Sequence, residues 1–241
     1  MNLQTNPTKG APSGAAVAKA DIDSIVVRFA GDSGDGVQLL GHQFSQETAL
    51  AGNSLATFPD FPAEIRAPTG TTYGVSAFQI NFGSRVVKTA GDQPDVLVAL
   101  NPAALAVNYK GLRKGGLVIL DSGAFKDRDI KRAGFTVDPR TDGTLKEFRV
   151  MEIDISAQAL EVAKPFGLSQ KEALRAKNLW VLGLVSWMYD RETNSTMDYI
   201  ARKFGAEDAI AKANVAALRP ATLMAKRTSW RATSPRCRCR R

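Results

Sequence analysis

The hydrophobic pattern changes period within the first fifty residues. Ser24-Ile25-Val26-Val27-Arg28-Phe29 is a short, β-branched apolar run and predicts a strand. It leads into Ala30-Gly31-Asp32-Ser33-Gly34-Asp35-Gly36-Val37. From there to Leu50, apolar residues at Val37, Leu40, Phe44 and Ala51 keep the spacing of one helical face. Strand, glycine turn and helix in this order are how α/β folds build a ligand edge. Gly52-Asn53 is a plausible stop for the helix.

The pattern then breaks. Thr57 to Gly70 holds Pro59, Pro62 and Pro68, which fix φ and remove donors, and so predicts a stiff, extended loop. In an extended chain Glu64 and Arg66 point to one side. They form either a solvated turn whose ion pair contributes little, or a preorganised loop offering a carboxylate and a guanidinium to a ligand or partner subunit. Gly74 to Phe82 alternates as a half-exposed strand, and Arg85 to Thr89 is a brief strand that could pair with it. Asp95 to Leu100 is apolar on both faces, as in a central parallel strand, and Asn101-Pro102 places an N-cap and a first-turn proline before a helix to Leu112.

A second buried strand, Leu117 to Leu120, ends at Asp121-Ser122. After the irregular stretch Gly123 to Lys146, Phe148 to Ile155 alternates as another strand. From Ser156 to Leu218 the pattern is helical. Ser169 and Glu172 form a capping box before a helix over Ala173 to Trp187, Ser195 or Thr196 caps a helix stopping at Gly205, and Glu207 to Leu218 is a third. Leu179, Trp180, Leu182, Leu184 and Trp187 read as core packing rather than a cofactor box. The fold expected is α/β: a three-layer α/β/α domain with a mostly parallel, mixed sheet and a helical C-terminal part.

Composition changes this picture at the ends of the chain. An apolar fraction of 44% and a charged fraction of 23% are those of a soluble globular protein. Residues 1–21, rich in Pro, Gly, Ser, Thr and Ala, read as a flexible arm without a secretory signal. The net charge of +8 would suggest a nucleic-acid partner, but eight of the 32 basic residues lie in 219–241, which has no acidic residue. Residues 1–218 therefore balance 24 basic against 24 acidic side chains. Both cysteines, Cys237 and Cys239, are also in the tail, so the body has no thiol for a disulfide or a soft metal, and a reducing cytoplasm is expected. His42 is the sole histidine, and no metal site is expected.

The glycine turn reads G-x-x-G-x-G, not the dinucleotide fingerprint G-x-G-x-x-G, and no Gly-Lys-Ser/Thr follows. Asp32 and Asp35 put two carboxylates where a phosphate would lie, so the turn is a poor pyrophosphate cradle and a reasonable self-capped turn. Gly34-Asp35-Gly36 could open a thiamine-diphosphate motif, but that motif needs an asparagine pair further on, and Asn53 lies too near. No G-x-S-x-G elbow supports a nucleophilic serine.

Three ordered segments carry a resemblance: 27–38 (Val-Arg-Phe-Ala-Gly-Asp-Ser-Gly-Asp-Gly-Val-Gln), 61–71 (Phe-Pro-Ala-Glu-Ile-Arg-Ala-Pro-Thr-Gly-Thr) and 95–105 (Asp-Val-Leu-Val-Ala-Leu-Asn-Pro-Ala-Ala-Leu). Together they resemble the 2-oxoacid:ferredoxin oxidoreductases, specifically the N-terminal gamma domain of the alpha subunit that acts on 2-oxoglutarate, over residues 22–218. The resemblance implies conversion of 2-oxoglutarate, CoA and oxidised ferredoxin to succinyl-CoA, CO₂ and reduced ferredoxin. It implies that thiamine diphosphate, Mg²⁺ and an iron–sulfur cluster belong to a further domain and a beta subunit, with none bound by this chain alone. It further implies that this gamma domain covers the active site and helps to position CoA. Gly31, Gly34, Gly36, Glu64 and Arg66 are the residues assigned to that face, Arg66 foremost for an anionic group, and no catalytic residue is assigned.

The expected partners are the beta subunit and, through the complex, ferredoxin, without nucleic acid or membrane. Relatives continue past the Asn-Val-Ala-Ala-Leu helix, whereas residues 219–241 read as a basic tail, disordered or out of frame. One codon choice for 220–227, shifted by two bases, gives the family-like Gly-His-Ala-Tyr-Gly-Glu-Thr. The competing function is a non-catalytic α/β module that docks a thiamine-binding partner through the Pro59–Pro68 loop.

Overall fold

The apolar runs assemble into one mixed sheet. The computed structural model describes residues 21–62, 67–219 and 236–237. Asp21–Ile22 (β1) pairs in parallel with Arg236–Cys237 (β8), apart from the main sheet. The strands of that sheet are β2 (Ser24–Asp32), β3 (Ser54–Asp60), β4 (Val75–Gly83), β5 (Val96–Ala99), β6 (Leu117–Asp121) and β7 (Arg149–Ile153), in the order β3-β4-β2-β5-β6-β7. β2, β5, β6 and β7 run parallel, and β4 and β3 extend the sheet antiparallel on the β2 side.

Period-two alternation divides the core. Ile25, Val27 and Phe29 face one side with Phe78, Ile80 and Phe82. There α1 (Val37–Leu50) and α6 (Lys177–Met188) cover the sheet, with α4 (Ile155–Ala163), α7 (Asn194–Phe204) and α8 (Ala209–Ala217) packed among them. Phe29, Phe44, Phe82 and Tyr189 form a chain of edge-to-face and tilted rings 5.2 to 6.2 Å apart. On the other side Ala30, Leu97, Ala99, Val118 and Leu120 meet α2 (Pro102–Asn108) and α3 (Asp127–Arg132). Asn101 caps α2 as predicted, its side chain accepting from the Ala104 N–H at 2.8 Å.

Six expectations change. β2 runs three residues beyond Phe29, because its pairing with β4 continues to Asp32↔Val75. The proline loop begins as strand β3, which tolerates Pro59 because it lies at the sheet edge. β4 is buried rather than half-exposed: it lies between β3 and β2, and its polar side chains are bonded, Gln79 donating to the Ala90 and Gly91 carbonyls. Residues 85–89 form no strand, and Asn81 instead donates to the Thr89 carbonyl. The helix expected from Ala173 is broken into α5 (Gln170–Leu174), which carries the capping box, and α6. Thr193, without a side-chain bond, is the N-cap of α7, because Thr196 is buried and bonded to Gln43 and Glu47 of α1.

Candidate functional site

α1 leaves the C-terminal end of β2 toward one face of the sheet, and α2 leaves the C-terminal end of β5 toward the other. This reversal opens a crevice beyond the strand ends, where open α/β sheets hold ligands. A cleft of about 270 Å³ lies there. Asp32 and Asp35 of the glycine turn line it, with Asn101, Ser156 and Lys177 from the starts of α2, α4 and α6, the Thr69–Gly70 turn, and Lys126, Asp129 and Arg132 from the α3 region.

The glycine turn closes on itself. The Asp35 carboxylate accepts from the Asp32 N–H at 2.9 Å, and the Asp35 N–H donates to the Asp32 carbonyl at 2.9 Å. No side chain caps α1, so the turn is self-closed but the helix is not self-capped as expected. Gly31 is the next-to-last residue of β2, and a Cβ there would lie 2.9 Å from the Asp35 carboxylate. Gly34 is exposed with open space at its Cβ position. Gly36 sits at φ 73°, and a Cβ on it would strike the Asn178 side chain of α6. Gln38, next in the motif, donates at 2.9 Å to the Ser76 hydroxyl and to the Ala77 carbonyl, joining α1 to the antiparallel strands. Glu64 and Arg66, the remaining predicted site residues, lie outside the described residues.

Charge is divided across the cleft. Burial raises the Asp32 carboxyl above its ordinary value and the nearby Asp35 adds to it, against opposing pulls from the Gly70 N–H, Asn101 and Lys177. Burial also raises Asp35, with Lys177 the largest opposing influence. Beneath them Asp121 is wholly buried and accepts from the Ser156 hydroxyl at 2.8 Å, the Ser156 N–H at 3.1 Å and the Lys177 ammonium at 3.1 Å. Lys177 is thereby anchored beside the acidic turn, while Lys126 and Arg132 supply cations toward α3.

Sequence reasoning missed Lys126, Arg132, Ser156 and Lys177. They come from elements remote in the chain, and only the position of Asp121 at a strand end hinted at them. The arrangement suits a ligand that brings hydrogen-bond donors to the carboxylate wall and an anionic group to the Lys126–Arg132 wall. Among the described residues no group of three or more His, Cys, Asp or Glu could hold a metal, and no helix is long and apolar enough to cross a membrane.

Residues 26–223 match the family described as pyruvate ferredoxin/flavodoxin oxidoreductase. The 2-oxoglutarate oxidoreductase subunit KorA of Mycobacterium tuberculosis is 47% identical over 205 residues, which cover 85% of this chain and 31% of that protein. The chain therefore spans about a third of the length of this curated relative. In fold it is similar to a 2-oxoglutarate:ferredoxin oxidoreductase from Magnetococcus marinus solved with 2-oxoglutarate, coenzyme A and succinyl-CoA bound, at TM-score 0.64 and 24% identity, over 86% of this chain and 32% of that one. It is also similar to the gamma subunit of a keto/oxoacid ferredoxin oxidoreductase from Geobacter sulfurreducens, at TM-score 0.54 and 16% identity, over 83% of this chain and 99% of that one. The three motifs read in the sequence all lie within the matched stretch, and the chain belongs to the pyruvate ferredoxin/flavodoxin oxidoreductase family.

Proposed function

We propose that residues 22–218 are the gamma domain of a 2-oxoglutarate:ferredoxin oxidoreductase alpha subunit, supporting CoA-dependent oxidative decarboxylation to succinyl-CoA with electrons passed to ferredoxin. The observation that carries this reading is the 47% identity to the Mycobacterium tuberculosis 2-oxoglutarate oxidoreductase subunit along 85% of the chain. Its place in the complex is the CoA side, with Gly31, Gly34, Gly36, Glu64 and Arg66 on the ligand-facing edge. The cleft supports that placement: its Lys126 and Arg132 can hold a phosphate that Asp32 and Asp35 would repel from the glycine turn.

Thiamine diphosphate supplies carbanion chemistry in such an enzyme, and an iron–sulfur cluster takes electrons singly. The residues here do not suit either group. The turn's carboxylates oppose a diphosphate, and cluster ligation needs thiolates, which this chain has only at Cys237 and Cys239. Both groups are assigned to a beta subunit and a further domain, with ferredoxin as the acceptor. This chain contributes binding and orientation of CoA and exclusion of water.

Co-expression with the beta subunit tests the proposal. A coloured iron–sulfur partner should co-purify with this chain, while the isolated chain supplied with thiamine diphosphate should not decarboxylate 2-oxoglutarate. Failure of any such partner to co-purify would refute it. A second reading, a non-catalytic module that docks a thiamine-binding partner, is favoured by the occurrence of the same fold as a separate gamma subunit. It predicts co-purification without any dependence of turnover on the cleft residues.

A further inference from the structure

The described residues Pro68 to Thr71 form a tight turn beside the cleft. The Thr71 N–H donates to the Pro68 carbonyl at 3.2 Å, and Gly70 sits at φ 79°, the conformation a type II turn requires at its third position. Two charged side chains from opposite walls hold this turn. From the glycine turn, the Asp32 carboxylate accepts from the Gly70 N–H at 2.9 Å. From α3, the Arg132 guanidinium donates to the Thr69 carbonyl at 2.9 Å, and a Cβ on Gly70 would lie 3.3 Å from its Cδ. A third tie, the Ser33 N–H to the Gly74 carbonyl at 3.1 Å, involves backbone alone.

We propose that the Pro68–Thr71 turn is a strap along the cleft, fastened on one wall by Asp32 and on the other by Arg132, and that it loosens when Asp32 takes up a proton. Asp32 is a positioning residue: its charge-assisted bond fixes Thr69 and Gly70 as cleft wall. A protonated carboxyl is a much weaker acceptor for the Gly70 N–H. The groups around it set when this happens: Asp35 on its own turn, Asn101 before α2, Lys177 at the start of α6, and Lys126, Asp129 and Arg132 from the α3 side. Burial and Asp35 outweigh the others and move protonation above the ordinary aspartate range, so the strap loosens as pH falls through that raised value. The inference stands on the geometry of the free chain and does not depend on which ligand the cleft takes.

The test follows the Gly70 amide of the uniformly isotope-labelled full chain by NMR as a function of pH. In the wild type its proton shift should titrate together with the Asp32 carboxyl carbon. Its protection factor should fall about tenfold or more on protonation, as expected for loss of a charged hydrogen bond. Asp32→Asn should make the shift independent of pH. Asp32→Ala should leave protection low at every pH, and Arg132→Ala should lower protection while the titration persists. The Ser33 amide, held by backbone alone, reports that the turn remains folded. Should Asp32→Ala not fold, the wild-type titration and Asp32→Asn decide the matter. A Gly70 shift that still titrates in Asp32→Asn, or protection unchanged in Asp32→Ala or Arg132→Ala, would overturn the strap.

Discussion

The three glycines of the first turn are not equivalent. Gly36 holds φ 73° and faces the Asn178 side chain, so Gly36→Ala meets both a disfavoured backbone and an occupied position. It should cost about 2 kcal/mol or more in urea unfolding, from the left-handed penalty and the forced shift of Asn178. Gly34 meets neither obstacle. Gly34→Ala should leave the unfolding free energy within about 0.5 kcal/mol of wild type while weakening the CoA binding proposed for this edge, measured by calorimetry. Unchanged binding would remove Gly34 from the ligand-facing edge.

A second residue, Glu47, illustrates a buried charge away from the cleft. It lies on α1 with both carboxylate oxygens taken, accepting from the Ser186 hydroxyl at 2.6 Å and the Thr196 hydroxyl at 2.5 Å. Burial raises its carboxyl above the ordinary glutamate range, and the two hydroxyls and Arg191 only partly oppose this. Between the ordinary and raised values the folded chain keeps a proton that the unfolded chain has lost. Stability therefore falls as pH rises through that interval, and the loss is complete above the raised value. Glu47→Gln should flatten this slope in unfolding midpoints measured from acidic to neutral pH. Glu47→Ala, which leaves two buried hydroxyls and Arg191 without the carboxylate, should cost about 2 to 4 kcal/mol.

At the scale of elements, legibility followed the range of the interactions. The first βα unit, the Asn101-Pro102 start of α2 and the Ser169–Glu172 capping box were readable because each is decided within a few residues. β4 misread as half-exposed because Ser76, Gln79 and Asn81 look solvated in the sequence. Their partners, Gln38, the Ala90–Gly91 carbonyls and the Thr89 carbonyl, come from elsewhere in the chain. Thr196 looked like a helix cap for the same reason, since α1 lies 149 positions away from it. The glycine turn was legible as the β2–α1 junction, although Asp32 and Asp35 rather than Gly31, Gly34 or Gly36 line the cleft. The cationic side was not: Lys126 and Arg132 carry no local signature and gain their place only when α3 packs beside α2. Gly41 belongs to this class too, because α1 crosses β4 so closely there that a Cβ would strike the Phe78 ring.

At the scale of the whole molecule, the charge balance decides how binding to the cleft has to be measured. Every buried core cluster among the described residues ends by Leu218, and beyond it the chain is basic without any acidic residue. Deleting residues 224–241 removes seven positive charges and leaves a formal net charge of +1, with the family-matched stretch to residue 223 intact. The deletion also removes the pairing of Arg236–Cys237 with Asp21–Ile22, a two-residue ladder outside the main sheet. The unfolding free energy should therefore change by no more than about 0.5 kcal/mol. Retention on heparin should fall sharply, because binding to a polyanion scales with the cations it meets and weakens steeply with salt. CoA, the ligand proposed for this domain, carries phosphates and should be drawn to the same tail, so its affinity for the full chain should contain a salt-sensitive part that the deletion removes. What persists in the shortened chain should depend on Arg132 and Lys126. If heparin retention survives the deletion, the basic surface belongs to the folded domain, and the neutral balance of residues 1–218 hides a patch rather than an even mixture.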